Sequence, residues 1–344
     1  MGLQFKDLIK PSEISMDELG SKVLAIDSHN ILYQFFTTIR QADGTPLKNS
    51  KGNVTSHLNG LFNRTVNLLQ KKIKPVFVFD GTPPELKKKE IERRASQKEE
   101  AKRQYEKAKA EQDIDSMKKY ASRTTRLTKE MIQEAKELIQ LMGLPIVEAP
   151  SEGEAQAAHM TKKGDAYATV SQDFDALMFG SPRIIRNLSI SGKRKRTGSP
   201  TYQTIKPEII SLGETLNALG IDNEKLMILG ILIGTDLNYG GIKGIGPAKA
   251  LKLIKKHGDD YEAIFKEARW EEHFDFSWEE VFSTLRKIPV TDDYILSWGL
   301  ADNERIVEFL CKRYEFSEDR VKSQLEKLEK STGSRHQKGL GDFF

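Results

Sequence analysis

Seven carboxylates stand where short apolar runs end: Asp27, Asp80, Glu152, Glu154, Asp173, Asp175 and Asp236. Val23-Leu24-Ala25-Ile26 runs into Asp27, and Pro75-Val76-Phe77-Val78-Phe79 into Asp80. Leu144-Pro145-Ile146-Val147 leads to Ser151-Glu152-Gly153-Glu154, and Ala166-Tyr167-Ala168-Thr169-Val170 leads to Asp173 and Asp175. Asp236 follows the apolar stretch 226–233 at a Gly234-Thr235-Asp236 break. Gathered in one pocket, so many carboxylates repel one another unless cations neutralise them. An all-oxygen ligand set selects hard ions, magnesium first and manganese as its substitute. A pair of such ions, with all seven acids as candidate ligands, would stabilise the attacking and leaving oxygens of a phosphodiester displacement and make hydroxide available near neutral pH. Within that set Asp27, Asp80, Glu152 and Asp175 are the candidate catalytic acids.

Each acid also has an ordinary reading. Ser151-Glu152-Gly153-Glu154 fits a capping box, which would assign Glu154 to a helix start and leave Glu152 unexplained. Asp27, Asp173 and Asp175 fit turn positions after strands. Recurrence at successive strand ends, in two close pairs, is what makes the set specific.

Basic residues able to reach a scissile phosphate complete the chemistry. Lys87 and Arg94 are two helical turns apart, so both fit one face of a helix leaving the Asp80 strand and suit transition-state charge. Otherwise they are two of many surface cations, for residues 85–129 carry 15 Lys or Arg against 9 Asp or Glu. A second basic knot, Lys193-Arg194-Lys195-Arg196, adds candidate phosphate contacts. Gly241-Ile242-Lys243-Gly244-Ile245-Gly246-Pro247-Ala248-Lys249 looks like a helix-hairpin-helix turn. There Gly244 and Gly246 let backbone N–H groups approach a phosphate, with Lys243 and Lys249 beside them. A generic glycine-rich connector is the alternative.

The elements that must position these groups alternate. Short buried strands are separated by helical stretches such as 59–70 and 128–142, which argues for an α/β fold with a mostly parallel central sheet. In such sheets the functional crevice lies outside the carboxyl ends of the strands. Residues 84–126 interrupt the alternation with a charged helical sequence lacking a strong apolar stripe, so it is expected outside the core. Residues 212–330 read as helical without further strands. At 344 residues and 38% hydrophobic content the chain can bury a full core. No apolar run is long enough to cross a bilayer. Lys6 stands where a myristoylation motif needs Ser or Thr. The single Cys311 and six scattered histidines argue against disulfide and zinc chemistry.

With these parts in order, the sequence resembles the flap endonuclease branch of the XPG-type 5′ nucleases over essentially its whole length. The resemblance rests on Gly2, Asp27 in Ala-Ile-Asp-Ser, Phe-Val-Phe-Asp-Gly ending at Gly81, and Ala-Pro-Ser-Glu-Gly-Glu-Ala-Gln-Ala ending at Ala157. It continues through Ser171-Gln172-Asp173-Phe174-Asp175, the Asp236 break and the hairpin. It implies a PIN-like nuclease core that cuts DNA at the base of 5′ flaps and has 5′ to 3′ exonuclease activity, in replication and repair. Implied too are DNA contacts at Gly2 and a base-stacking role for Tyr33. The implied division is a core in parts 1–99 and 117–258, the latter including the hairpin element 241–258. A helical arch spans 84–130, a helical region 259–330, and a flexible tail 331–344. In that tail Gln337, Leu340, Phe343 and Phe344 fit the peptide that docks on a trimeric sliding clamp of the proliferating cell nuclear antigen type. Eukaryotic members continue past this peptide, whereas this sequence ends at Phe344, as the archaeal enzymes do. A cytoplasmic, nucleoid-associated location is therefore expected, or a nuclear one for a eukaryotic source; a monomer is expected as well. The rival expectations are a related exonuclease or junction resolvase sharing the active site, and a non-catalytic clamp accessory, which would lack one of the acids.

Overall fold

The computed structural model describes residues 8–41, 44–121, 126–188, 192–195 and 202–333. Three strands form its centre: β2 (Val23–Asp27) pairs in parallel with β3 (Lys74–Phe79) on one side and with β5 (Ala168–Val170) on the other. β1 (Ser12–Glu13) precedes them, and β4 (Ile146–Glu148) extends the sheet beyond β3. β6 (Arg183–Arg186) pairs in parallel with β5, β9 (Glu208–Ser211) antiparallel with β6, and β1 antiparallel with β9. The seven-stranded order is β1-β9-β6-β5-β2-β3-β4. β7 (Gly192–Lys195) and β8 (Tyr202–Ile205) form a separate antiparallel pair. The chain runs outward from β2 through β3 to β4, then returns to β5 on the opposite flank of β2. That reversal makes the β2/β5 boundary a topological switch point, the expected place for a crevice at strand C-termini.

Helices cover both faces. α1 (Ser28–Thr38), α2 (Ser56–Gln70) and α5 (Lys129–Leu141) share one core with β2 and β3. α6 (Gly153–Lys163) lies on the other face, where Ala157 and Met160 pack against Val76 and Val78. Between β3 and α5 come α3 (Lys88–Ala110) and α4 (Ile114–Ala121), which pack on each other. α3 buries only Glu90, Ala101 and Ala108, in keeping with its missing apolar stripe.

A second core gathers α7 (Asp175–Met178), α8 (Leu212–Leu219), α9 (Asn223–Ile233), α10 (Pro247–His257), α11 (Tyr261–Ala268) and α12 (Trp278–Arg286). α13 (Asn303–Val307), a π-helical stretch (Glu308–Arg313) and α14 (Glu318–Gly333) return to the first core.

Three features were not expected from the sequence. β1, β6, β9 and the β7/β8 pair are strands of two to four residues, too short for alternation to register. The largely helical C-terminal third also contains a non-helical strap over residues 288–302. It is tied to the core where Gln156 exchanges side-chain bonds with the Thr291 backbone at 2.8 Å, and where Trp298 Nε1 donates to the Pro75 carbonyl at 3.0 Å. Finally, Lys193, Arg194 and Lys195 lie on a strand, β7, while Arg196 falls outside the described residues. No helix among the described residues is long and apolar enough to cross a membrane.

Candidate active site

A cleft of about 810 Å³ opens at the C-terminal ends of the central strands, and all seven predicted acids line it, with Lys87, Arg94 and Tyr33. Each acid is set by local backbone logic. Asp27 ends β2 and is the N-cap of α1, accepting from the Asn30 amide at 3.1 Å. Asp80 follows β3 and accepts from the Gly153 amide at 2.6 Å, so one strand-end carboxylate engages the first turn of α6. A Cβ at Gly153 would sit 2.7 Å from that same carboxylate oxygen, which explains the glycine. Glu152 is the N-cap of α6 without a side-chain capping bond. Glu154 accepts from the Ser171 hydroxyl. The capping-box reading of Ser151 and Glu154 therefore fails: the N-cap position is Glu152, Glu154 bonds Ser171 instead, and both glutamates line the cleft.

Asp175 opens α7, and Asp173 accepts from Asn30 Nδ2 at 2.9 Å. Asp236 is placed by the buried loop after α9. There Asn238 Oδ1 accepts from both the Thr235 amide (3.1 Å) and hydroxyl (2.7 Å), and Asn238 Nδ2 donates to the Ile231 carbonyl at 2.7 Å.

The electrostatics are those of crowded like charges. Burial, reinforced by the Asp80 charge, raises the Asp27 carboxyl well above its ordinary range. Burial, then Asp175, Asp27 and Asp173, does the same to Glu154. Burial raises Glu152 as well, opposed by Lys87. Lys87 bridges two acids, 2.5 Å from Glu152 Oε2 and 3.3 Å from Asp236 Oδ2. Burial alone would lower its ammonium, but Glu152 and Asp236 outweigh that and raise it. Arg94 Nη2 reaches Asp236 Oδ1 at 2.5 Å. Lys87 ends a 3₁₀ turn (Glu85–Lys87) just before α3, so the two cations do not share one regular helix, yet both meet at Asp236.

Among the described residues no three acids are drawn together tightly enough to cage a metal ion as they stand. Lys87 and Arg94 pair with two of the seven, Glu152 and Asp236. The donor set itself, oxygen-only and rich in buried carboxylates pushed toward protonation, fits hard divalent ions.

Tyr33 lies on the α1 wall, 40% exposed, with Lys98 Nζ 5.8 Å from its ring centre. Gln97, Lys98, Ala101 and Gln104 line the same cleft as Arg94, so one face of α3 forms its outer wall. Lys243, Gly244 and Gly246, on the turn between α9 and α10, and Lys249, in the first turn of α10, are exposed but outside this cleft. Gly246 caps α10 ahead of Pro247, and Gly244 has φ 83°. Gly2, Gln337, Leu340, Phe343 and Phe344 fall outside the described residues.

Sequence reasoning missed His29, Asn30, Ser171 and Glu90. His29 Nδ1 lies 3.2 Å from both the Asp80 amide nitrogen and its Oδ2. His29 and Asn30 sit one turn from Asp27, and that adjacency was the available signal. Glu90 was lost among the many charges of its segment.

The XPG N-terminal domain family matches residues 1–101 and the XPG I-region family residues 143–236. A flap endonuclease 1 of Pyrococcus abyssi is 50% identical over 344 residues, 100% of this chain and 98% of that relative. The structure of flap endonuclease-1 from Methanococcus jannaschii superposes with a TM-score of 0.76 at 42% identity, covering 97% of this chain and 100% of the other. The catalytic core of Rad2 in complex with DNA substrate shares the fold alone, at TM-score 0.66 and 23% identity, over 92% of this chain and 96% of that one. The order of the acids, the cleft they share and identity over the full length agree: this chain belongs to the flap endonuclease family of XPG-type nucleases.

Proposed function

We propose that this protein is a structure-specific nuclease that hydrolyses a phosphodiester at the base of a 5′ DNA flap, with 5′ to 3′ exonuclease activity, in replication and repair. The observation that carries the reading is the convergence of seven carboxylates with Lys87 and Arg94 in one cleft at the sheet's switch point. Asp27, Asp80, Glu152, Glu154, Asp173, Asp175 and Asp236 would hold two magnesium ions, with manganese as a substitute. When bound, these ions supply charge stabilisation to the attacking and leaving oxygens and lower the pKa of a water. The protein's own residues do the rest. Lys87 and Arg94, whose charged ends lie in the cleft beside Glu152 and Asp236, would stabilise the charge that develops on the non-bridging oxygens of the scissile phosphate. Tyr33 offers an exposed ring for stacking an unpaired base beside the cut.

The α3/α4 pair, within the 84–130 arch, stands over the cleft as the passage for the flap. Gly2 and the basic β7 strand, with Arg196 beyond it, add contacts to DNA. The hairpin bearing Lys243, Gly244, Gly246 and Lys249 grips duplex phosphates without reading sequence. The division into core, arch, C-terminal helical region and tail belongs to the same proposal, as does a monomer acting with the nucleoid in the cytoplasm. The tail peptide, Gln337, Leu340, Phe343 and Phe344, docks on a trimeric sliding clamp.

The test is cleavage of a labelled 5′-flap duplex beside single-stranded and blunt duplex controls, with magnesium and with chelator. Magnesium-dependent cutting near the flap base with little cutting of the controls is expected. Tight binding without cutting, on well-folded protein, would replace the nuclease with a non-catalytic DNA-binding accessory.

A further inference from the structure

Glu90 does not line the cleft, yet its side chain is only 2% exposed and it grips two consecutive arginines. Arg93 Nε donates to Oε2 at 2.6 Å and Arg93 Nη2 to Oε1 at 2.8 Å, while Arg94 Nε donates to Oε1 at 2.6 Å. A glutamate in the first turn of a helix is favoured by the helix dipole wherever it points, and an exposed one would satisfy that preference. Burial beneath two guanidinium groups calls for another reason, because a buried carboxylate left unpaired is strongly unfavourable. The guanidinium fork supplies it. With Nε held by Glu90, the adjacent Nη2 of the same guanidinium is set toward the cleft, where it meets Asp236 Oδ1 at 2.5 Å. Arg93, held by the same carboxylate, lies 3.5 Å from the ring centre of Tyr239, a residue 52% exposed in the loop that also carries Asp236. One buried acid therefore joins the base of α3 to the 234–241 loop through two arms.

We propose that Glu90 is a positioning residue for the nuclease reaction: by holding Arg93 and Arg94 together it fixes the reach of the Arg94 guanidinium into the cleft. This rests on the nuclease reading above. A displaced Arg94 would still be charged and still attract DNA, so the loss belongs to the chemical step and not to binding.

The experiment compares wild type, Glu90→Gln, Arg94→Ala and the double variant. It measures single-turnover cleavage of a 5′-flap duplex at saturating enzyme, flap affinity by anisotropy with chelator present, and the melting temperature of each protein. Glu90→Gln is expected to cut about tenfold to a hundredfold more slowly, the scale of a misplaced catalytic group, with flap affinity within about twofold of wild type. The double variant is expected to be no slower than Arg94→Ala, since Glu90 acts through Arg94. A Glu90→Gln protein that cuts at the wild-type rate overturns the inference, as does a double variant whose losses multiply. Should Glu90→Gln not fold, Glu90→Asp keeps the buried charge but is too short to span both guanidinium groups. The same rate loss is expected of it, and a wild-type rate overturns the proposal. If wild type itself cuts no flap, the nuclease reading falls and the inference with it.

Discussion

Single side chains in the cleft do two jobs, and the substitutions that separate them follow from their surroundings. Asp175 opens α7 and lines the cleft beside Asp173 and Glu154. Asp175→Ala is expected to remove several kcal/mol of cation-dependent transition-state stabilisation, about a thousandfold in rate. Flap affinity should stay nearly unchanged, and gel cleavage beside anisotropy reads both. Asp27 and Glu154 make a pH prediction. Burial first, and neighbouring acids second, raise their folded-state pKa values, so the folded protein holds protons that the unfolded chain has released. Their contribution to stability is present in full below the unfolded values and is lost as pH rises through the folded ones. Bound divalent cations favour the ionised acids and offset that loss. The gain in melting temperature on adding magnesium should therefore grow as pH rises from the ordinary carboxylate range through the raised folded-state values. A gain independent of pH would contradict this account of the cluster.

Secondary elements are held to the cleft by close backbone approaches. Gly241 has φ 58°, and a Cβ there would lie 2.2 Å from the Ile233 carbonyl carbon at the end of α9. Gly241→Ala is expected to destabilise the protein by about 2–4 kcal/mol, through steric overlap and a left-handed backbone together. Chemical denaturation measures it, and a loss below about 0.5 kcal/mol, the scale of an ordinary surface change, would mean that the approach is not tight. At the other end of the chain, deletion of residues 337–344 should leave cutting of a flap unchanged when enzyme and DNA are alone, and abolish stimulation by the sliding clamp. A truncated enzyme that is still fully stimulated would show that the clamp is bound elsewhere.

Across the whole molecule, the acidic cleft and the exposed hairpin basic residues divide the work between chemistry and grip. Replacing Lys243 and Lys249 with Ala should weaken flap binding at every sequence. The salt dependence of log K should become shallower by ~0.9 for each DNA phosphate that the variant no longer neutralises. Binding isotherms over a salt series test this, and an unchanged slope would place the duplex on another face. The sequence by itself determined the α/β class, the parallel centre of the sheet and the acid set. The reason is local: runs such as Val23–Asp27 and Lys74–Phe79 are short and rich in β-branched and aromatic residues, which favours strands over helices, and each leads into a carboxylate, Asp27 or Asp80. It also marked Lys87, Arg94 and Tyr33 as candidates for the same pocket. Tertiary structure alone decided that Glu154 belongs to the cleft rather than to a helix cap, that Asp236 and Arg94 meet from residues far apart in the chain, and that His29 and Asn30 support Asp80 and Asp173. It alone added the short edge strands and the 288–302 strap, whose residues carry too little periodicity to declare their shape. Glu90 shows the boundary most clearly. In sequence it is one acid in a charged segment, and only packing reveals that its charge is buried beneath two arginines, because burial is a property of what lies across the gap and not of the residue itself.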